Sequence, residues 1–523
     1  MNARAVAVVA ALGTGLVGGG WVLSRGLQVE EADFSSSRLF DTVLEHVRRY
    51  YVEPVPDSAL FEHAMIGMLR ELNDPYTLYL PPNRLRRLTE QASGNYIGIG
   101  AGIQRRGDYS MIIAPIPGSP AERAGLRTGD LVVEIDGQSA RGLTTDEVIR
   151  ALRGPPESAV TVVIERPGDP DRLTFRLTRS GVHRRAVGRT ALLAGNVGYV
   201  DINTFNDSTA IELRKAIDSL RIAGMRSLVL DLRGNPGGVL AQGVSVADMF
   251  LDSGLVIVQL RGRGASASER VIDGARQPWP DLPVVTLVDE GSASASEIVA
   301  GALQDHDRAV LMGRPTFGKG SAQSVFSTVS GGGVRLTTAR WFTPAGRSIE
   351  RVRRQRFGDG EESVDSVRTR RGRLVAGGGG IEPDLLAGDT ALGPGEQALE
   401  EALGNRVIVF RDAMVDVAIA LRARGAIRSR DFEVTPAMIE ELWQAMRRRG
   451  FRFDRAILDG ARPLVASLLG REIARFVFGP DAEAERAIRD DRVIQEAARL
   501  AASSSTPDEL MSRAALQPGS RNP

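Results

Sequence analysis

No cysteine occurs in the 523 residues, which excludes disulfides, thiol nucleophiles, iron–sulfur clusters and cysteine-ligated zinc. Four histidines (His46, His63, His183 and His306) leave little for a histidine-rich metal site, so neither a metal nor a cofactor is expected. Charge of one sign is also missing: 66 basic residues face 65 acidic ones, net +1, which offers no field for nucleic acid. Lysine is nearly absent, since only Lys215 and Lys319 stand among the 66 basic residues and the other 64 are arginine. What is there, 42% hydrophobic residues with 58 glycines and 26 prolines, describes a globular chain. Its length predicts three or four domains.

The uncharged run Ala5–Leu23 lies between Arg4 and Arg25. As a helix it would span roughly 28 Å, near the hydrocarbon thickness of a bilayer. No small-x-small cleavage site follows, so an uncleaved membrane anchor within residues 1–26 is favoured over a cleaved signal. The acidic flank Glu30, Glu31 and Asp33 then places the rest of the chain on the extracytoplasmic side, periplasmic or facing the cell envelope, held at the cytoplasmic membrane by residues 5–23. Helical spacing at Leu39, Phe40, Val43, Leu44 and Val47, and again from Leu60 to Leu72, predicts a helical module over 35–90. From Tyr96 the period changes to short strands with two helices, Pro120–Ala124 and Thr145–Leu152, in a compact domain over 94–180. Over 181–390 strands at Val197–Ile202, Ser227–Leu232, Val256–Leu260, Val284–Val288 and Ala309–Met312 alternate with helical patterns, an α/β layer architecture. One of those helices is expected to open with a capping box, Thr209 to Glu212, and to present Ile211, Ala216, Ile217 and Leu220 to the core. Within this region 351–379 is rich in arginine and has no apolar period, so a flexible surface insertion is expected. Residues 391–523 read as mostly helical.

Ligand sites in open α/β sheets lie at the carboxyl ends of strands, and three glycine- or serine-rich turns fall there. Asp231-Leu232-Arg233-Gly234-Asn235-Pro236-Gly237-Gly238 offers backbone N–H groups unshielded by side chains, able to meet negative charge on an oxygen. Ser292-Ala293-Ser294-Ala295-Ser296-Glu297 opens a helix, where an exposed serine faces the positive end of the dipole; by itself the stretch also reads as a serine-rich N-cap. Gly318-Lys319-Gly320-Ser321 fails the phosphate-loop pattern because residue 320 is glycine. A serine at a helix start and a lysine about 25 residues on together suggest a Ser–Lys dyad. The base must be an amine that can lose its proton, which arginine cannot do. Gln323, four residues past Lys319, can orient that amine.

These motifs, with Asn73-Asp74-Pro75-Tyr76-Thr77, Gly98-Ile99-Gly100, Gly118-Ser119-Pro120-Ala121, Gly129-Asp130 and Thr343-Pro344-Ala345-Gly346-Arg347, resemble the C-terminal processing, or tail-specific, serine peptidases with an inserted PDZ domain. The resemblance covers about residues 35–350 and Gly380-Ile381-Glu382-Pro383-Asp384. It implies a PDZ-like domain and a crotonase/ClpP-like peptidase core; with the N-terminal anchor, the helical module and the helical C-terminal extension read above, the expected fold is α/β multidomain. It carries the nucleophile onto Ser294, the general base onto Lys319 and the base-orienting role onto Gln323. The oxyanion donors become the N–H of Ala295 and of one glycine of the pair Gly237 and Gly238. The loop Gly98-Ile99-Gly100-Ala101 becomes the site for a substrate's terminal carboxylate, with the peptide added as a strand.

The expected function is an extracytoplasmic serine endopeptidase acting through an acyl-enzyme on proteins with free C-terminal tails. A catalytically silent PDZ scaffold on a membrane is the alternative, and a crotonase-like acyl-CoA enzyme the third reading. A Ser–His–Asp mechanism through His183 or His63 stays open, whereas His306 lies about three helical turns from Ser294. Asp305 matches a family aspartate and equally fits a structural role at a helix end. The resemblance assigns nothing to the extension, for which dimerisation, and so a homo-oligomer, or docking are the expected roles.

Overall fold

The computed structural model describes residues 33–263, 268–351, 366–388, 392–517 and 520, with side chains from residue 38 onward. The anchor expected at 5–23 lies outside them. Among the described residues no helix is long and apolar enough to cross a membrane.

The chain forms two compact units. The first holds the described residues up to Thr89 and Ser321–Arg340. Its helices Asp33–Tyr50 and Asp57–Glu71 lead to a short strand, Leu78–Leu80, antiparallel to 333–335, and Ser321–Ser327 pairs with the far side of that partner. Asp74 shapes the turn before the short strand by accepting from Tyr76 N–H at 3.0 Å and Thr77 Oγ1 at 2.8 Å. The Asn-Asp-Pro-Tyr-Thr motif is therefore a turn that orders this strand.

The second unit is built on a six-stranded sheet. Val187–Leu193 lies antiparallel to Val197–Ile202; Ser227–Asp231, Val284–Val288, Val310–Gly313 and Leu385–Leu386 follow in parallel. Four of these strands are buried throughout, as expected of a parallel sheet covered on both faces. One face packs on the helices Thr209–Ile222, Leu240–Asp248 and Ala295–Asp305. Within the first of these, Ile211 is 61% exposed and the buried stripe is Leu213, Ile217 and Leu220. The expected capping box also fails: Ser208 is the N-cap, and Glu212 instead accepts from Ala186 and Val187 N–H and meets His183. The carboxylate serves the incoming chain as well as its own helix, accepting from Ser208 Oγ at 2.6 Å.

The other face of the sheet is covered by the end of the chain. Ile494, Ala497, Ala501, Leu510 and Met511 pack on Val229, Val285 and Val310. The earlier helices of the extension, from Pro394–Leu403 to Arg462–Phe478, form a separate cluster that takes in Met111 of the preceding domain. So the last helices complete the sheet's core, and the earlier ones pack on the domain at 94–180. That domain is a six-stranded antiparallel sheet with helices Pro120–Arg123 and Thr145–Leu152. The ladder Asn95–Gly98 with Ser180–His183 closes its two ends.

The flexible insertion expected at 351–379 is corrected in its second half: Ser366–Arg368 and Leu374–Ala376 form a hairpin. Arg373 fixes it, its Nε to Asp307 and its Nη1 to Asp384, both at 2.6 Å. Arg373, which reads as solvated in the sequence, is thus ion-paired to two buried aspartates.

Asp273 gives the fold a pH dependence. Its Oδ1 accepts from Ala275 N–H at 2.8 Å, and its Oδ2 is buried without a partner. Burial, with Asp248 and Asp252 nearby, pushes its carboxyl up to about 7 from 3.8. A carboxyl raised in the folded state holds its proton more tightly there, so its contribution is greatest below the unfolded value and is lost as pH rises toward about 7. Asp273→Asn is expected to stabilise the protein by about 2 kcal/mol at pH 8 and to change nothing at pH 4. Urea unfolding at the two pH values checks it.

Candidate active site

Ser294 is the N-cap of the helix Ala295–Asp305, and its backbone stands at φ 56°, ψ −111°, a conformation rare outside glycine. It holds the N-cap position that the alternative reading gives it, but not through its side chain. Glu297 N–H goes to the Ser294 carbonyl at 2.9 Å, and Ser294 Oγ makes no cap bond. The flanking serines are structural: Ser292 Oγ donates to Leu232 O at 2.8 Å and Ser296 Oγ to Asn235 O at 2.9 Å. Of the three, Ser294 is the one whose hydroxyl is not spent on the loop.

The glycine turn lies directly against it. A Cβ on Gly237 would stand 2.9 Å from Ser294 Cβ and 3.0 Å from Ala295 N; one on Gly238 would stand 2.0 Å from Phe205 O. Both glycines have positive φ, 89° and 149°. Side chains are excluded here by close backbone approach. Gly237 N–H is taken by Asn235 Oδ1 at 2.9 Å, and Gly237 O accepts from Phe205 N–H at 3.0 Å. Asn235 is wholly buried and also bonds Ile202 O, while its carbonyl accepts from Ala293 N–H at 3.0 Å. The two loops are thereby tied together.

Glu297 joins the third loop, and residue patterns alone gave it no role. Its side chain is wholly buried and takes four donors: Ser294 N–H at 2.7 Å and Lys319 N–H at 3.0 Å on Oε2, Thr316 Oγ1 at 2.6 Å and Gly318 N–H at 2.7 Å on Oε1. Burial pushes its carboxyl up from the ordinary carboxylate range, and the four donors pull the other way. One carboxylate thus fixes the backbone of Ser294 and of Lys319 together. Glu297→Gln would turn an NH₂ group toward one pair of donors, whichever way the amide is placed. A stability loss of about 2–3 kcal/mol is expected, read by urea unfolding, with a parallel fall in kcat.

Lys319 is half-buried, and its carbonyl accepts from Trp341 Nε1 at 3.1 Å. Gln323 is on the strand Ser321–Ser327 of the first unit, where its amide nitrogen donates to Ser321 Oγ at 3.0 Å and Thr337 Oγ1 at 3.3 Å. Asp305 ends the serine's helix, fully buried against Arg347, with Oδ1 2.7 Å from Nη2. That is a structural ion pair at the helix end. His306 caps the same helix and bonds Val256 O at 2.7 Å. His183 has its two ring nitrogens on Asn95 and Glu212, at 3.0 and 2.6 Å, and serves the linker into the α/β core.

In the domain at 94–180, Ile99 O accepts from Ala121 N–H and Gly100 O from Ile116 N–H, both at 2.8 Å. Because each peptide is planar and trans, the N–H groups of Gly100 and Ala101 point the opposite way. The strand Ala101–Arg106 ends its sheet, so its outer edge is unpaired within that sheet. Arg153, at the end of the facing helix, stacks over Tyr96 at 4.7 Å and pairs with Glu90. No periodic signal marks Arg153, whose place follows from the tertiary approach of its helix to Gly98. A Cβ on Gly98 would meet the Tyr96 ring at 3.1 Å.

A serine whose hydroxyl makes no cap bond, a glycine loop against it and a lysine loop tied to the same carboxylate define an α/β core of the serine-hydrolase kind. Residues 196–355 match peptidase family S41, 111–166 the PDZ domain, and 25–83 the N-terminal domain of the activating protease CtpB. A carboxy-terminal-processing protease of Bartonella bacilliformis is 35% identical over 327 residues, 62% of this chain and 74% of that protein. The chain belongs to the family of carboxy-terminal-processing proteases. A probable CtpA-like serine protease of Staphylococcus aureus (strain COL) is 34% identical over 322 residues, 61% of this chain. The chain spans 64% of the length of that relative. The solved photosystem II D1 C-terminal processing protease is 36% identical, covering 60% of this chain and 83% of that one, with a TM-score of 0.35.

Proposed function

We propose that this chain is a serine endopeptidase that selects proteins by their C-terminal tails. The observation that carries the reading is the single Glu297 carboxylate oxygen holding both Ser294 N–H and Lys319 N–H, with Gly237 against Ser294 Cβ. Ser294 Oγ attacks the scissile carbonyl, and the neutral Lys319 amine takes its proton. The same amine returns the proton to the leaving nitrogen, and water then releases the acyl-enzyme. Ala295 N–H is one oxyanion donor; Gly238 is the fitting second, since Gly237 N–H is already held by Asn235. The tail's carboxylate rests on the N–H face of Gly98–Ala101 in the PDZ domain, and the peptide adds along the edge Ala101–Arg106. The uncharged run at 5–23 supports an extracytoplasmic, membrane-anchored location.

The test offers an unstructured peptide and its C-terminal amide to wild type and Ser294→Ala. Cleavage of the free-acid peptide only, abolished in Ser294→Ala, is expected. Cleavage by the variant would refute the nucleophile, equal cleavage of the amide would refute tail selection, and binding without cleavage by wild type would favour the scaffold.

A further inference from the structure

Arg233 opens the glycine loop, five residues before Gly238, and its guanidinium is gripped from two sides. Asp231, at the end of its strand, takes Nε at 2.9 Å and Nη2 at 2.6 Å. Asp491 comes from the C-terminal extension, 258 residues further on, with Oδ2 3.1 Å from Nη2 and Oδ1 3.4 Å from Nη1. The two carboxylates do different things. Asp231 ends a buried strand of the central sheet and its Oδ2 also accepts from Tyr199 Oη at 2.9 Å, so that pair ties the turn to the sheet. Asp491 belongs to a separate element, so its pair holds the same guanidinium from the extension's side.

Asp491 is itself well placed to act as an anchor. It is the N-cap of the helix Arg492–Ala502, and its Oδ1 accepts from Ile494 N–H at 3.0 Å. Ile494, Ala497 and Ala501 of that helix are buried against the central sheet. Further along, Gly234 N–H bonds Asp289 Oδ1 at 2.8 Å, and Asn235 ties the loop to the serine's turn. The ion pair is not packed solid. A polar cavity of about 290 Å³ opens beside it, lined by Arg233 and Asp491 together with Tyr199, Asp201, Asp289 and Arg471. The grip is therefore made by charge and hydrogen bonds rather than by steric confinement.

We infer that Asp491 is a positioning residue for the reaction, acting through Arg233. The extension supplies a charge that holds the loop from which Gly238 N–H would meet the developing oxyanion. This rests on the reading of Ser294 and the glycine loop given above. It gives the extension a role in turnover within one chain, separate from dimerisation or docking.

Asp491→Asn keeps an oxygen for the Ile494 cap and removes the charge that Arg233 meets. Removing an oxyanion donor outright costs about 10²–10³ in kcat, and a loosened one should cost less. With the tail-bearing peptide, and rates normalised to titrated active sites, Asp491→Asn is expected to lower kcat roughly tenfold with KM within about twofold. In an Arg233→Gln background it should add nothing, because the partner through which it acts is gone. Unchanged kcat would overturn the inference. So would a fall in kcat that multiplies fully with that of Arg233→Gln, or a rise in KM with kcat unchanged. Ser294→Ala run alongside keeps the two readings apart: cleavage surviving it defeats the nucleophile assignment, whereas a dead Ser294→Ala beside a fully active Asp491→Asn defeats this inference alone.

Discussion

Lys319→Arg is expected to fold, bind the tail peptide with unchanged affinity and cleave it at least about 10³-fold more slowly. The backbone at 319 is held independently of its side chain, by the N–H bond to Glu297 at 3.0 Å and the carbonyl bond from Trp341 at 3.1 Å. Exchanging the side chain leaves both bonds in place, so a thermal midpoint within a degree or two of wild type is expected. Arginine has much the same reach, but its guanidinium does not give up a proton near neutrality. A Ser294 hydroxyl without an acceptor is a weak nucleophile. Single-turnover cleavage with a separate peptide-binding titration checks the prediction. A cleavage rate near that of wild type would mean that position 319 supplies charge rather than a base.

The largest loss of stability is expected at Arg347. Its side chain is completely buried, with Nη2 on Asp305 Oδ1 and Gln304 Oε1 at 2.7 Å each and Nη1 on Ala376 O at 2.8 Å. Arg347→Ala leaves Asp305 buried at the end of the helix that begins beside Ser294, with Ala345 N–H its remaining donor. Breaking one half of such a pair costs about 3–5 kcal/mol, because the uncompensated charge stays in a dry site. Arg347→Met with Asp305→Leu should cost less than Arg347→Ala, since removing both charges also removes the desolvation penalty. Denaturant titration of the three proteins decides this. A double variant weaker than the single one would show that the pair contributes net stability.

The middle of the sheet was legible because four of its strands are buried throughout. Val197–Ile202 and Val284–Val288 appear in the structure with the bounds their apolar runs predict. The three turns at strand ends were legible for the same reason, since glycine and serine mark places where side chains are excluded. Glu297 was invisible as a hub because its four donors are three backbone N–H groups and one hydroxyl, brought in by the fold from two loops. Composition gave the arginines of 366–376 a solvated reading, and only tertiary structure places Arg373 between Asp307 and Asp384. The extension was readable as helices from caps such as Thr435 and Thr506. That its last helices complete the sheet depends on a long-range approach that no local period records. The lysine count is the opposite case: it singled out Lys319 before any geometry, and Glu297 now ties that residue to Ser294.

The most direct test of the central claim is to treat the protein with a fluorophosphonate, which forms a stable adduct on an activated serine, and to map the adduct by mass spectrometry. The account predicts one modified residue, Ser294, with labelling that quickens as pH rises and the amine deprotonates, and that is lost in Lys319→Arg. An adduct on another serine, or labelling of Ser294 at the same rate in Lys319→Arg, would contradict it.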